Sequence, residues 1–177
     1  MPLTGKRVAI LAESNYADLE LWYPLLRLRE AGAEAFVVGS GSSSYASRHG
    51  YVVNADAEAD MVTAGQFDAI IVPGGWAPDR LRRYSSVLRL IKDANEQGKI
   101  IGAIGHAGSV LISALVVAGR TMTCSKAIRD DVVNAGATYV DREVVRDGNL
   151  ITSRTADDLP DFCRELLRAI AENLERG

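Results

Sequence analysis

Three short stretches of this 177-residue chain hold residue types that could do chemistry together. The first is Gly105-His106, which follows the apolar run IIGAI and opens a helical pattern. A sharp strand-to-helix turn holds its central residue in a strained conformation and aims the next backbone N–H groups at the space above the sheet, where α/β enzymes place a serine or cysteine nucleophile. Glycine at that point relaxes the strain and supplies no attacking atom. His106 comes next, at a helix N-terminus whose positive dipole end favours an anion. Read alone, the pair is first of all a tight turn beside a buried histidine. The second stretch is Pro73-Gly74-Gly75 after the apolar run AIIV. Two glycines let backbone N–H groups come close to a ligand, as an oxyanion hole requires, although turns use the same residues for geometry alone. The third is Glu20, in DLELWYP between Leu19 and Leu21. A carboxyl group there is either a solvated helix position or a desolvated acid with a raised pKa that faces a site.

The elements that must position these residues follow from periodicity. Arg7 to Ala12 is an apolar run bounded by polar residues, as in a strand covered on both faces. Helical spacing over Asp18 to Ala31 stops at Gly32, with Pro24 expected to kink it. Strands are predicted at Glu34 to Val38, Ala69 to Val72 and Ile100 to Ile104. A helix carries Val87, Leu90, Ile91 and Ala94 on one face, and another carries Val110, Leu111, Ala114 and Leu115. Thr121 to Thr123, Val144 to Arg146 and Leu150 to Ser153 read as short strands, the last two joined at Asp147-Gly148. A final helix runs from Leu159 to about Leu174, with Pro160 in its first turn and Phe162, Leu166, Leu167, Ile170 and Leu174 at helical spacing. Strands alternating with helices imply right-handed crossovers and a mostly parallel sheet with helices on both faces. Sites in such sheets lie outside the carboxyl ends of the strands, which nominates Glu13 to Glu20, Pro73 to Asp79 and Gly105 to Gly108.

Composition bounds the function. With 47% hydrophobic and 24% charged residues, no repeat and no low-complexity tract beyond the loop Gly39 to Ser44, residues 1–177 read as one domain with a substantial core. Two cysteines far apart exclude a disulfide scaffold, and two histidines without zinc-ligand spacing give no metal site. A formal net charge of -3 with interspersed signs leaves no footprint for nucleic acid. The start, MPLTGKRVAIL, enters a strand rather than a signal peptide, and no apolar run reaches membrane-span length. The expectation is a cytoplasmic protein with no metal, no cofactor, no nucleic-acid partner and no membrane association.

Four segments, SNYADLELWYPLLRLREAG, IIVPGGWAPDRLR, AIGHAGSVLISA and DGNLITSRTADDLPDF, together resemble the PfpI endopeptidase-like branch of the ThiJ/PfpI superfamily. The likeness runs from Lys6 to Ile170. It implies the class I glutamine amidotransferase-like fold, a flavodoxin-like three-layer α/β sandwich with a mostly parallel sheet. It also implies a homodimer or hexamer, and a small-molecule carbonyl or amide substrate. The family pattern at the turn is A-I-C-H-G, whereas this chain reads Ala103-Ile104-Gly105-His106-Ala107, so the resemblance places Gly105 where the nucleophilic cysteine is expected. It further implies that Glu20 contacts the reacting group, that His106 is the family's histidine, and that Gly75 and the His106 backbone are oxyanion donors. Gly74, Trp76, Ala107 and Ser125 would line the site, and Asp79 would reach the histidine of a neighbouring subunit. Trp76 stands where arginine is common, and Cys124-Ser125-Lys126 where an aromatic-Pro step is common. Cys124 and Cys163 read as small packed residues.

The family's thiol-dependent activities, amide hydrolysis, glyoxalase-type conversion and removal of early glycation adducts, need a covalent step that glycine cannot make. Three readings follow. Glu20 and His106 act as general acid and base on a small carbonyl compound in a lyase, hydratase or isomerase reaction. Alternatively, Gly105 is an engineered substitution that disables a PfpI-type hydrolase, glyoxalase or deglycase. In the third reading the chain is a stress-response or ligand-binding subunit, with an exposed apolar patch around Trp22, Tyr23 and Trp76 serving subunit contact.

Overall fold

Residues 2–173 are described by the computed structural model. They run β1 (Arg7–Leu11), α1 (Asp18–Glu30), β2 (Glu34–Gly39), the short β3 (Ser44–Ala46) and β4 (Val52–Asn54), β5 (Ala57–Glu58), β6 (Ala69–Val72), α2 (Ala77–Leu81), α3 (Ser85–Glu96), β7 (Ile100–Ile104), α4 (Gly108–Ser113), β8 (Thr121–Met122), α5 (Arg129–Asn134), β9 (Thr138–Tyr139), β10 (Val144–Asp147), β11 (Leu150–Ser153) and α6 (Leu159–Glu172). The main sheet has seven strands in the order β10-β11-β7-β6-β1-β2-β5, parallel throughout except for the β10–β11 hairpin. From β1 the chain first builds outward through β2 and β5, then returns to the other side of β1 with β6, β7 and β11. The switch between these directions falls between β1 and β6, where carboxyl-end loops diverge and leave a crevice.

The apolar strands have no wet face. Every residue of β6 and β7 is buried, because α1 and α6 cover one side of the sheet while α3, with α2, α4 and α5, covers the other. α6 buries Phe162, Leu166, Leu167 and Ile170, and α3 buries Val87, Leu90, Ile91 and Ala94, the stripes expected from their spacing. Each fully buried Leu, Ile or Phe contributes roughly 1.5–3 kcal/mol relative to exposure. The α6 layer lies close on β7: a Cβ at Gly102 would come within 2.9 Å of the Phe162 ring. The three-layer sandwich with a mostly parallel sheet is therefore as expected.

Several details differ from the sequence expectation. Leu115 does not join Val110 and Leu111 in the core but is 82% exposed. α4 ends at Ser113, and Leu115 takes φ 60 as the chain reverses. The Leu115 N–H donates to the Ile112 carbonyl and the Val116 N–H to the Leu111 carbonyl, the paired bonds of a Schellman motif with leucine in the glycine position. The β10–β11 turn sits one residue later than expected: Asp147 pairs with Leu150, so Gly148 and Asn149 form the loop. Helix α1 passes through Pro24 without interruption. Leu174 lies outside the described residues. Among those described, no helix is long and apolar enough to cross a membrane.

Leu115 has little burial to lose and a left-handed backbone to relieve. Leu115→Gly should raise stability by about 0.5–1 kcal/mol in urea unfolding, the steric relief exceeding the entropy of glycine in the unfolded chain. An unchanged or lowered midpoint would contradict this.

Candidate active site

Four neighbouring strands, β11, β7, β6 and β1, end on the same side of the sheet, and their loops bring Glu20, Gly74, Gly105 and the His106 backbone together. After β7, Gly105 turns the chain with φ 60. Its carbonyl accepts from the Ser125 N–H at 3.0 Å, which ties the turn to the segment after β8. The left-handed conformation expected of a strand-to-helix elbow is thus present, with glycine in it. A Cβ at position 105 would lie 3.5 and 3.6 Å from the two Glu20 carboxyl oxygens and 3.4 Å from the Arg154 carbonyl, ordinary contact distances. The Glu20 carboxyl therefore faces the place where a side chain at 105 would stand.

Glu20 itself is only 7% exposed. One oxygen accepts from the Gly74 N–H at 2.7 Å. Burial pushes its carboxyl up to about 7, against the opposing pull of the Gly74 N–H and the positive charge of Arg48. Near neutral pH it is then present in both protonation states, the condition for donating and accepting protons at working pH. Pro24 lies four residues on and has no N–H, so the Glu20 carbonyl loses its intrahelical donor at the residue whose side chain turns inward.

The two glycines after Pro73 are demanded by crowding. A Cβ on Gly74 would fall 2.3 Å from Glu20 Oε2 and 2.7 Å from the Ile104 carbonyl. Gly75, at φ 81, would put one 2.4 Å from the Ala17 nitrogen. The β6 loop is hydrogen-bonded to the β1 loop on both sides of Gly75, Ala17 N–H to the Gly74 carbonyl at 3.1 Å and Trp76 N–H to the Asn15 carbonyl at 2.9 Å. Gly74 is thus a positioning residue for Glu20: its N–H is already used by the carboxylate.

The remaining expected residues divide. His106 is half-buried at the start of the turn, and Ala107 is fully buried behind it. Ser125 supports the turn through its N–H, while its hydroxyl caps the Ala127 N–H at 3.4 Å. Asp79 is not brought to His106 within the chain. It is exposed on α2 and paired with Arg83 one turn on, at 2.5 Å. Trp76 is 62% exposed at the rim. Trp22 and Tyr23 are only half-buried, and Trp22 is engaged, donating to the Tyr16 hydroxyl at 3.1 Å and meeting Tyr51 edge-on. Cys124 and Cys163 are both buried, and burial pushes each thiol up to about 12, so neither supplies a thiolate.

Two further participants are not among the site residues expected from the sequence. The Arg154 carbonyl closes the third side of position 105, and Arg154 is fixed by ion pairs to Asp158 and Asp141, each at 2.9 Å. Arg48 lies in a polar loop without a motif, and its guanidinium sits 5.0 Å from the centre of the Trp76 ring.

This geometry can be set beside known proteins. The DJ-1/PfpI family model matches residues 6–169. The chain belongs to the DJ-1/PfpI family. Within the family it is 42% identical over 164 residues to a deglycase of Thermococcus kodakarensis, covering 93% of this chain and 99% of the relative. It is 40% identical over 169 residues to the protein/nucleic acid deglycase 2 of Escherichia coli, covering 94% and 98%. A putative cysteine protease of Bacillus subtilis, YraA, is 36% identical over 167 residues, covering 94% and 99%. Among solved structures, Drosophila melanogaster DJ-1beta superposes with TM-score 0.87 at 25% identity, covering 98% of both chains. A two-domain protein of Anabaena variabilis with DJ-1/ThiJ/PfpI-like and ferritin-like domains gives TM-score 0.92 at 40% identity over 94% of this chain and 48% of that one. The chain thus spans about half the length of that two-domain protein. The flavodoxin-like α/β fold with its mostly parallel sheet is the family's fold.

The buried acid has a thermodynamic signature. Its folded pKa, about 7, lies above the ordinary value of 4.5, so the contribution of Glu20 to stability is full below pH 4.5 and is lost as pH rises to about 7. The loss amounts to about 3 kcal/mol at 1.36 kcal/mol per pKa step. Urea unfolding of Glu20→Gln against the native chain should show their stability difference moving in the mutant's favour by about that amount between pH 4 and pH 8. Parallel pH curves would refute the buried-acid assignment.

Proposed function

We propose that this family member is an enzyme of carbonyl chemistry that works without a thiol, with Glu20 and His106 exchanging protons with a small carbonyl compound, or with its amine or thiol adduct, seated over Gly105. The observation that carries this reading is the Glu20 carboxyl, buried to 7% exposure and poised near neutral pH, facing the place a side chain at 105 would take. Relatives named deglycases supply the substrate class. Breakdown of a hemiaminal illustrates the chemistry. The Glu20 acid gives a proton to the nitrogen, the C–N bond breaks, and the hydroxyl proton passes to His106, leaving a carbonyl compound and a free amine. The Gly75 and His106 N–H groups are the candidate donors to the oxygen on which charge develops. Asp79 would act in this scheme only across a contact between copies, as its exposed position on α2 allows.

A second reading rests on a different observation: the elbow keeps its left-handed backbone and has room for a Cβ beside Glu20. On this reading the chain descends from a thiol-type deglycase or hydrolase, and position 105 is where the sulfur would be carried.

One set of assays separates the two. Under the first reading the purified chain releases amine from methylglyoxal adducts of simple amines, and Glu20→Gln and His106→Ala each lower kcat/KM by about 10²–10⁴, the usual worth of a positioned acid or base. Full activity in both variants would defeat it. Under the second reading the native chain is inert and Gly105→Cys gains the activity; an inert Gly105→Cys that folds would defeat that one.

A further inference from the structure

The rim of the site carries a cation that the proposed proton transfer does not use. Tyr16 bridges to Ser47 on one side and to Gly75 on the other, so three backbone segments run side by side across the β1/β6 crevice. The next residue along each outer segment is Arg48 and Trp76. Arg48 donates its N–H to the Tyr16 carbonyl at 3.0 Å, and Trp76 donates to the Asn15 carbonyl at 2.9 Å. Side by side, the two meet above the loop that leads into α1, the guanidinium 5.0 Å from the indole ring centre.

The loop carrying Arg48 is clamped from below by Asp18, in the first turn of α1 and two residues before Glu20. Asp18 accepts from the Ser47 hydroxyl at 2.5 Å and meets His49 Nδ1 at 2.8 Å, so both neighbours of Arg48 are held by one carboxylate. The Ser47 hydroxyl in turn accepts from the His49 and Tyr51 N–H groups at 3.2 and 2.9 Å, and Tyr16 donates its hydroxyl to the Tyr51 carbonyl at 2.6 Å. Arg48 itself is exposed and, among the described residues, takes part in no ion pair. Its charge nevertheless reaches the buried acid, where it favours the ionised form of Glu20.

A guanidinium fixed at its base, stacked on an aromatic face and left without a carboxylate of its own keeps its planar donor edge free for a bidentate partner. The inner acid, largely neutral below pH 7, puts little repulsion in the way of an anion. We propose that Arg48, presented on Trp76, is the specificity-determining residue of this site, and that its substrate is a small oxo acid whose carboxylate rests on Arg48 while its carbonyl lies over Gly105 beside Glu20. This rests on the acid–base reading of the same site and adds the charge of the substrate to it.

The test uses a pair of probes that differ in one charge, pyruvate and pyruvamide, titrated calorimetrically into the native chain, Arg48→Ala and Arg48→Lys at pH 6.5. The native chain should bind pyruvate at least about tenfold tighter than pyruvamide, about 1.4 kcal/mol. Arg48→Ala should abolish that preference, and Arg48→Lys should restore part of it, since a point charge lacks the fork. Equal affinities in the native chain, no binding of either probe, or a preference surviving in Arg48→Ala would each overturn the proposal. The melting temperature of Arg48→Ala should match the native value, because the loop is held by Asp18 and by backbone bonds. Charge-selective binding without turnover of any carbonyl compound counts against the proton-transfer reading alone. Turnover that is indifferent to Arg48→Ala counts against the oxo-acid inference alone.

Discussion

A carboxyl group removed from water is costly to ionise, and the site depends on keeping Glu20 in that condition. It has one backbone partner, the Gly74 N–H at 2.7 Å, and 7% of its surface exposed. One hydrogen bond is too little to offset the desolvation of a full charge, so the proton stays on to near neutrality. The packing that produces this is tight. Neither Gly74 nor Gly75 could carry a Cβ without meeting the Glu20 carboxyl or the β1 loop, and the β1 and β6 loops are hydrogen-bonded to each other on both sides of Gly75. The sheet order makes this convergence possible, because β1, β6 and β7 are direct neighbours and end at the same edge.

The same arrangement explains how a DJ-1/PfpI chain with glycine at the elbow retains an organised site. Gly105 makes the left-handed turn, the Ser125 N–H holds its carbonyl, and Glu20 faces the place a side chain at 105 would take. Facing position 105 are the buried Glu20 carboxyl and the Arg154 carbonyl, and Arg48 stacks against Trp76 on the neighbouring loops.

Much of this was legible in the sequence because it rests on local rules. Covered parallel strands appear as unbroken apolar runs, and RVAIL, AIIV and IIGAI could be placed to within a residue. Glu20 stood out as an acid between leucines, and Pro-Gly-Gly after a strand marked a close approach. Leu115 was misplaced because a Schellman stop with leucine in the left-handed position has no glycine to announce it. Arg48 has no such signal, because it reaches the site through tertiary pairing by way of Tyr16 and Asp18; the Arg154–Asp158 pair is an i,i+4 contact within a segment the resemblance already marks, but nothing in its spacing says that the Arg154 carbonyl faces position 105. Asp79, nominated both by the strand-end rule and by the resemblance, lies outside the cluster in the fold of one chain.

The central claim is that Glu20 holds its proton to near neutral pH. Carbon-13 NMR of the side-chain carboxyls, with the Glu20 resonance assigned by its loss in Glu20→Gln, reads that ionisation directly. The account predicts a Glu20 titration midpoint near 7 in the native chain; a midpoint near the ordinary 4.5 would contradict it.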